Sequence, residues 1–187
     1  MEQIYLDFNA STPIAPEVRE AMQPYLASAY GNPSSTHWAG RPGREAVENA
    51  RAQVADLLGC TPGEVVFTSG GTEANNHALK GVFYAKGGRG HIITTAVEHP
   101  AIIEPCRFLE RLGAKLTVLP VDSTGLVDPA AVEAAITEDT ILVSVMHANN
   151  EMGTIEPITQ IADVCRASGV LLHTDAAQSV GKIPTRV

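Results

Sequence analysis

Four polar clusters in this sequence carry residue types suited to holding an anion, a charged nitrogen and a planar polar ring. Ser69-Gly70-Gly71-Thr72-Glu73 joins an apolar run to a helical stretch. Its glycines let the backbone approach an anion, and a helix opening there offers unpaired N–H groups and a positive dipole end, with Thr72 as cap. The same string also reads as a plain strand-to-helix turn, and it has neither Walker nor GxGxxG spacing. Val97-Glu98-His99 stands before Pro100, where a lone histidine serves structure more often than chemistry. His147-Ala148-Asn149-Asn150-Glu151 carries a tandem amide, which is either a turn or a set of donors and acceptors for a planar polar ligand. Asp175-Ala176-Ala177-Gln178 follows an apolar run. A carboxylate closing a buried strand is costly unless paired, so Asp175 is predicted to face a cation or a protonated ligand atom. His173 and Asp175 share one face of that strand, a spacing that hints at a metal. The remaining His and Cys residues are scattered, and no metal site is expected.

The elements that must position these clusters alternate between strand and helix. Short apolar, β-branched runs occur at Glu64–Thr68, His91–Thr95, Lys115–Leu119, Ile141–Met146 and Val170–Thr174. Their nearly continuous apolar character predicts strands covered on both faces. Arg41–Leu58 places Ala46, Val47, Ala50, Val54, Leu57 and Leu58 on one helical stripe, and Thr72–Tyr84, Pro100–Leu112, Pro129–Ile136 and Ile158–Ala167 follow the same period. Gly59, Gly113 and Gly169 stand where helix C-caps are expected. The alternation predicts an α/β fold: an open, mostly parallel, doubly wound sheet with helices on both faces. Ligands of such sheets bind beyond the carboxyl ends of the strands, so the four clusters are expected on one rim. The opening segment differs: Ile4–Phe8 reads as a short strand, Pro16–Leu26 as a helix, and Tyr30-Gly31-Asn32-Pro33-Ser34-Ser35 as a turn-rich loop.

Composition bounds the function classes. With 187 residues, 44% hydrophobic and 18% charged, the chain is long and apolar enough to bury a core. Lys+Arg 13 against Asp+Glu 21 gives a net charge of -8, which argues against nucleic acid or an anionic membrane surface as main partner. No stretch reaches the roughly 18 apolar residues of a membrane helix. Met1-Glu2-Gln3-Ile4 does not have the make-up of a signal peptide. Cys60, Cys106 and Cys165 form neither a disulfide framework nor a CxxC pair, which points to a reducing, cytoplasmic setting.

In this order the clusters resemble the class V group of fold-type I pyridoxal phosphate (PLP) enzymes, most closely the cysteine desulfurases of the NifS/IscS kind. The strings that carry the resemblance are Tyr5-Leu6-Asp7 with Asn9-Ala10-Ser11-Thr12-Pro13, Gly31-Asn32-Pro33-Ser34-Ser35, Phe67 through Asn76, Glu98-His99, Met146 through Gly153, and His173 through Lys182. It implies that residues 1–15 form an N-terminal arm belonging to a small domain, and that residues 16–187 form the N-terminal portion of a PLP-binding large domain. It implies that Gly71 and Thr72 hold the cofactor phosphate, that His99 stacks on the ring and takes part in proton movement, and that Asn150 and Gln178 bond the 3-hydroxyl side. Asp175 would pair with the protonated pyridine nitrogen.

The same resemblance implies conversion of L-cysteine to L-alanine, with sulfur passed through an enzyme cysteine persulfide to an acceptor such as an Fe–S scaffold. It also implies a homodimer in the full-length form. The pattern's Schiff-base lysine, mobile-loop cysteine and substrate-binding arginine all fall beyond Val187. Lys80, Lys86, Lys115 and Lys182 match none of these positions, and the three cysteines read as small buried hydrophobes within or at the ends of helices. Desulfurase turnover is therefore not expected of the 187 residues alone. Two alternatives share the motifs: a selenocysteine lyase or other class V enzyme, and a non-catalytic binding protein derived from the scaffold.

Overall fold

The period-two alternation of the apolar runs decides which side chains face which layer. The computed structural model describes residues 3–187. Strands β1 (His91–Thr95), β2 (Lys115–Leu119), β3 (Thr140–Ser144) and β4 (Leu171–His173) form a wholly parallel sheet in the order β2-β1-β3-β4. Ile92 lies beside Leu116 and Leu142, and Ile93 beside Thr117 and Val143. One face buries Ile92 and Leu142 under Leu79 and Phe83 of helix α3 (Gly71–Ala85) and under Ile102, Cys106 and Leu109 of α4 (Pro100–Arg111). The other face packs Ile93, Val143 and Val145 against Val132 of α5 (Pro129–Ala135) and against Ile161 and Cys165 of α6 (Ile158–Ala167). The expected α/β sheet with helices on both faces is the fold observed.

The strand order fixes where a ligand can sit. From β1 the chain crosses by α4 to β2 at one edge, then returns by α5 past β1 to β3. Right-handed crossovers running in opposite directions put their helices on opposite faces. The reversal opens a crevice between the carboxyl ends of β1 and β3, the usual ligand site of such sheets.

The chain divides into two compact units, each with its own internal packing: Thr68–Pro184, which holds the sheet, and the segment up to Phe67 with Thr185–Val187. The latter contains α1 (Pro16–Ala27) and α2 (Arg41–Leu58), the second closed by Gly59 at φ 78°. Between them Gly31 passes so near the Ala39 carbonyl that a Cβ would lie 1.9 Å from its oxygen. Arg44 pins this loop through the carbonyls of Pro33 at 3.1 Å and Ser35 at 2.6 Å.

Two expected strands are absent among the described residues. Glu64 ends a 3-10 turn (Pro62–Glu64), and the residues up to Thr68 run on without a pairing partner. The Arg51 guanidinium instead bonds the Val65 carbonyl and lies 5.0 Å over the Phe67 ring, and Val66 stays 63% exposed. Ile4–Phe8 likewise pairs with nothing; the Tyr5 hydroxyl turns back to Asp7 O at 2.7 Å and to Ser11 Oγ at 3.0 Å. A β-propensity run becomes a strand only where another strand completes its hydrogen bonds. Elsewhere the differences are a residue or two at the ends; β3 and β4 are shorter than the runs Ile141–Met146 and Val170–Thr174.

Candidate functional site

The rim is assembled from three strand ends and one helix N-terminus. Glu98, just past β1, is 8% exposed. Its Oε1 accepts from Thr95 Oγ1 at 2.8 Å and from the Met146 backbone N–H at 2.8 Å, so it ties the end of β1 to the end of β3. Burial pushes its carboxyl up to about 7, against the two hydrogen bonds and with the help of the Asp175 and Glu156 charges. Asn149, 7% exposed, adds a second tie by donating to the Val97 carbonyl at 3.0 Å. Its Oδ1 accepts the N–H groups of Glu151 and Met152, both at 2.8 Å, and so shapes the turn that carries Asn150. The tandem amide therefore divides its work. Asn149 builds the turn, and Asn150 stands half-buried beside it.

Asp175 follows β4, and its carbonyl accepts from His147 N at 2.9 Å. Its carboxylate is held from two sides: Oδ1 accepts from Ala177 N at 3.0 Å and Oδ2 from Asn75 Nδ2 at 2.8 Å. Asn75 is 5% exposed and lies on α3 one turn after Thr72, so this bond joins the strand end to the anion-attracting end of that helix. His173, on the same strand face, bonds Ser144 Oγ through Nδ1 at 2.9 Å. Burial pulls the His173 imidazole down, the Asp175 charge opposing.

Helix α3 starts one residue earlier than its periodicity suggests. Gly71 is its first residue and Gly70 its N-cap, so Thr72 lies inside the first turn and does not cap. Both glycines are exposed and open, with nothing within 4 Å of where a Cβ would be. Glu73 reaches back past the first turn to accept from Ser69 N and Oγ, both at 2.6 Å, which lowers its carboxyl. The first turn of α3 is thus open at Gly70 and Gly71, with the Glu73 carboxylate held by Ser69 beside it. His99 is exposed and is the N-cap of α4, its Nδ1 accepting from Ala101 N at 3.0 Å. Gln178 follows Asp175, and its Oε1 accepts from Lys182 Nζ at 2.7 Å.

The structure therefore links Gly71, Thr72 and Asp175 through α3 and Asn75, and links His99 to the Asn149–Asn150 turn through Glu98 and Val97. Three of the four clusters follow strands; the first follows the unpaired Glu64–Thr68 run. Such a rim can hold an anion at the α3 N-terminus and a protonated nitrogen at Asp175. Among the described residues no group of His, Cys, Asp and Glu has the arrangement of a metal site.

The match of known families to this chain covers nearly all of it: the description Aminotransferase class-V fits residues 4–187. The chain belongs to the class-V aminotransferase family. Within that family it is 52% identical over 186 residues to the cysteine desulfurase IscS of Dictyoglomus turgidum, covering 99% of this chain and 47% of the relative. The chain spans about half the length of the curated relatives it matches. Among solved structures it resembles SspA in complex with cysteine, at 41% identity and a TM-score of 0.94 over 98% of this chain and 53% of that one. It also resembles a NifS-like protein at 40% identity and a TM-score of 0.95, over 100% and 52% of the two chains.

Two contributors in this class-V chain escape simple sequence reading. Asn75 occupies the stripe that also buries Leu79 and Phe83, each four residues on; a polar residue in a buried stripe signals a partner. Glu98 carries no such signal, because beside its near neighbour Thr95 its partner is the Met146 N–H, 48 residues on and just past β3. The cysteines depart in one respect: Cys106 and Cys165 are buried, whereas Cys60 is half-exposed after α2. Burial pushes the Cys106 thiol up to about 12.

Proposed function

We propose that this chain carries the cofactor-holding portion of a PLP-dependent cysteine desulfurase. The complete enzyme would convert L-cysteine to L-alanine and deliver the sulfur, through a persulfide on an enzyme cysteine, to an acceptor protein such as an Fe–S scaffold. The observation that carries this reading is the doubly held Asp175 carboxylate, tied by buried Asn75 to the open N-terminus of α3. That pairing suits one ligand bearing both a protonated ring nitrogen and a phosphate. The desulfurase kinship adds the chemistry.

The donor set fits PLP. The N–H groups opening α3 at Gly71 and the Thr72 hydroxyl would hold the phosphate. Asp175 would keep the ring nitrogen protonated, and Asn75 and Ala177 N fix its oxygens in place for that bond. His99 would lie against the ring, with Asn150 and Gln178 at its 3-hydroxyl. Bound there, the cofactor supplies an electron sink for the amino-acid substrate. Residues 1–15 would form an arm of a small domain and residues 16–187 part of the large one, in a homodimer of the full-length form. Three free thiols suit a cytoplasmic setting.

Absorbance titration of the chain with PLP tests the reading. Saturable binding is expected, with pyridoxal lacking the phosphate about tenfold weaker, a loss of about 1.4 kcal/mol. D175A should weaken PLP by a similar factor and shift the bound absorbance band. Equal affinity of wild type and D175A, or of PLP and pyridoxal, overturns it.

A further inference from the structure

The turn that carries Asn150 is held on both of its legs. The legs close on each other: Asn149 N donates to the Thr154 carbonyl at 2.8 Å and Glu156 N to the His147 carbonyl at 2.9 Å, with Ala148 bridging Ile155. Glu98 fixes the entering leg at Met146 N, and Asn149 fixes it at the Val97 carbonyl. The leaving leg meets a different element, the loop of residues 120–128 between β2 and α5. There Glu156, 3% exposed, accepts from Val127 N at 3.0 Å through Oε2. Thr154 Oγ1 donates to the Thr124 carbonyl. Gly125, at φ 83°, packs so closely that a Cβ would stand 2.3 Å from Met152 Cε.

The loop brings its own shape to this contact. Asp122 Oδ1 accepts from Thr124 N at 2.8 Å, Thr124 Oγ1 at 2.7 Å and Leu126 N at 3.0 Å. A turn stapled by its own aspartate presents the Thr124 carbonyl and the Val127 N–H in fixed directions. Among the described residues Val127 N is the one partner of the Glu156 side chain, and Oε1 is buried without one. Burial pushes this carboxyl up, the Val127 bond opposing and the Asp122 charge assisting. A carboxyl buried for one bond is unfavourable on its own, so its contribution lies in what that bond holds.

We propose that the β2–α5 loop positions Asn150 for the 3-hydroxyl of the ring, with Glu156 and Thr154 as the positioning residues. Both act through the turn, by fixing the leg that leaves Asn150. The assignment rests on the PLP reading above. Loss of either contact frees the leaving leg, while Asp175 and the α3 N-terminus stay joined by Asn75. Preference for the 3-hydroxyl therefore depends on the loop, and preference for the phosphate does not.

The experiment measures three affinities of the 187-residue chain: for PLP, for pyridoxal, and for the PLP analogue lacking the 3-hydroxyl, the last by competition. Wild type is compared with T154V, E156A and E156Q, each checked for its fold by circular dichroism. Wild type should prefer PLP to the analogue by about fivefold, the worth of one hydrogen bond. T154V and E156A should each bring that ratio toward one, with the ratio of PLP to pyridoxal unchanged. E156Q, whose amide oxygen still accepts from Val127 N, should keep the wild-type ratio. A folded T154V or E156A with the wild-type preference overturns the proposal, as does E156Q falling with E156A. An equal fall in both ratios overturns it too, because the loop would then support the chain at large. Should E156A not fold, T154V decides alone. If wild type binds no PLP, the PLP reading fails and the proposal falls with it. If wild type discriminates the phosphate but not the 3-hydroxyl, only the placement of Asn150 and its positioning by the loop are refuted.

Discussion

At the scale of single residues, buried polar groups carry the most exposed predictions. Glu98 ionises near 7 in the folded chain against an ordinary value of 4.5. The native state therefore keeps a proton that the unfolded chain has already released. Stability from this group is present below about pH 4.5 and is lost as pH rises toward 7. The full loss is on the order of 3 kcal/mol. Urea unfolding from pH 5 to 8 should show wild type falling relative to E98Q, whose amide still accepts at Oε1 but cannot ionise; parallel pH profiles would refute this. Asn75 makes the opposite case, a neutral donor to a carboxylate. N75A leaves the Asp175 Oδ2 short of its partner and should cost about 2 kcal/mol of unfolding free energy. A structural loss confined to α3 would leave PLP affinity intact, so the same variant should also weaken PLP in the absorbance titration.

Between elements, the sheet separates two cores that share strands but not helices. Leu79 of α3 and Ile161 of α6 are both fully buried, one on each face. Truncation of either to alanine should cost about 2–5 kcal/mol. Because the sheet stands between them and no neighbour is common to both clusters, the double variant should equal the sum of the singles within about 0.5 kcal/mol, as read from denaturant melts. A larger coupling would mean that the sheet transmits strain from one layer to the other. The same layering explains the rim. The helices hold β1 and β3 side by side, and the loops leaving them meet through Glu98 and Asn149.

For the molecule as a whole, the placement of the lysines bears on activity. Lys80 lies over the Phe108 ring at 4.8 Å, Lys115 pairs with Asp139 at 2.8 Å at the start of its strand, and Lys86 closes α3. Lys182 touches Gln178 but not in the setting the Schiff-base pattern requires. Sulfide release from cysteine by the 187-residue chain with PLP should therefore match PLP alone; release above that control would refute the assignment of the missing nucleophiles to the remainder of the pattern. The sequence by itself determined the parallel α/β class, the helix spans to within a residue or two, and the clusters that meet at the rim. Those features follow from local periods and from strand ends, which are written in neighbouring residues. Tertiary structure alone decided that Glu64–Thr68 and Ile4–Phe8 stay unpaired, since strand formation depends on a distant partner. It alone showed that Asn75 holds Asp175, that Glu98 clasps β1 to β3, and that Asn149 builds the turn beside Asn150. Each of those bonds joins groups from 48 to 100 residues apart or depends on a loop they shape, and no local pattern records such a pairing.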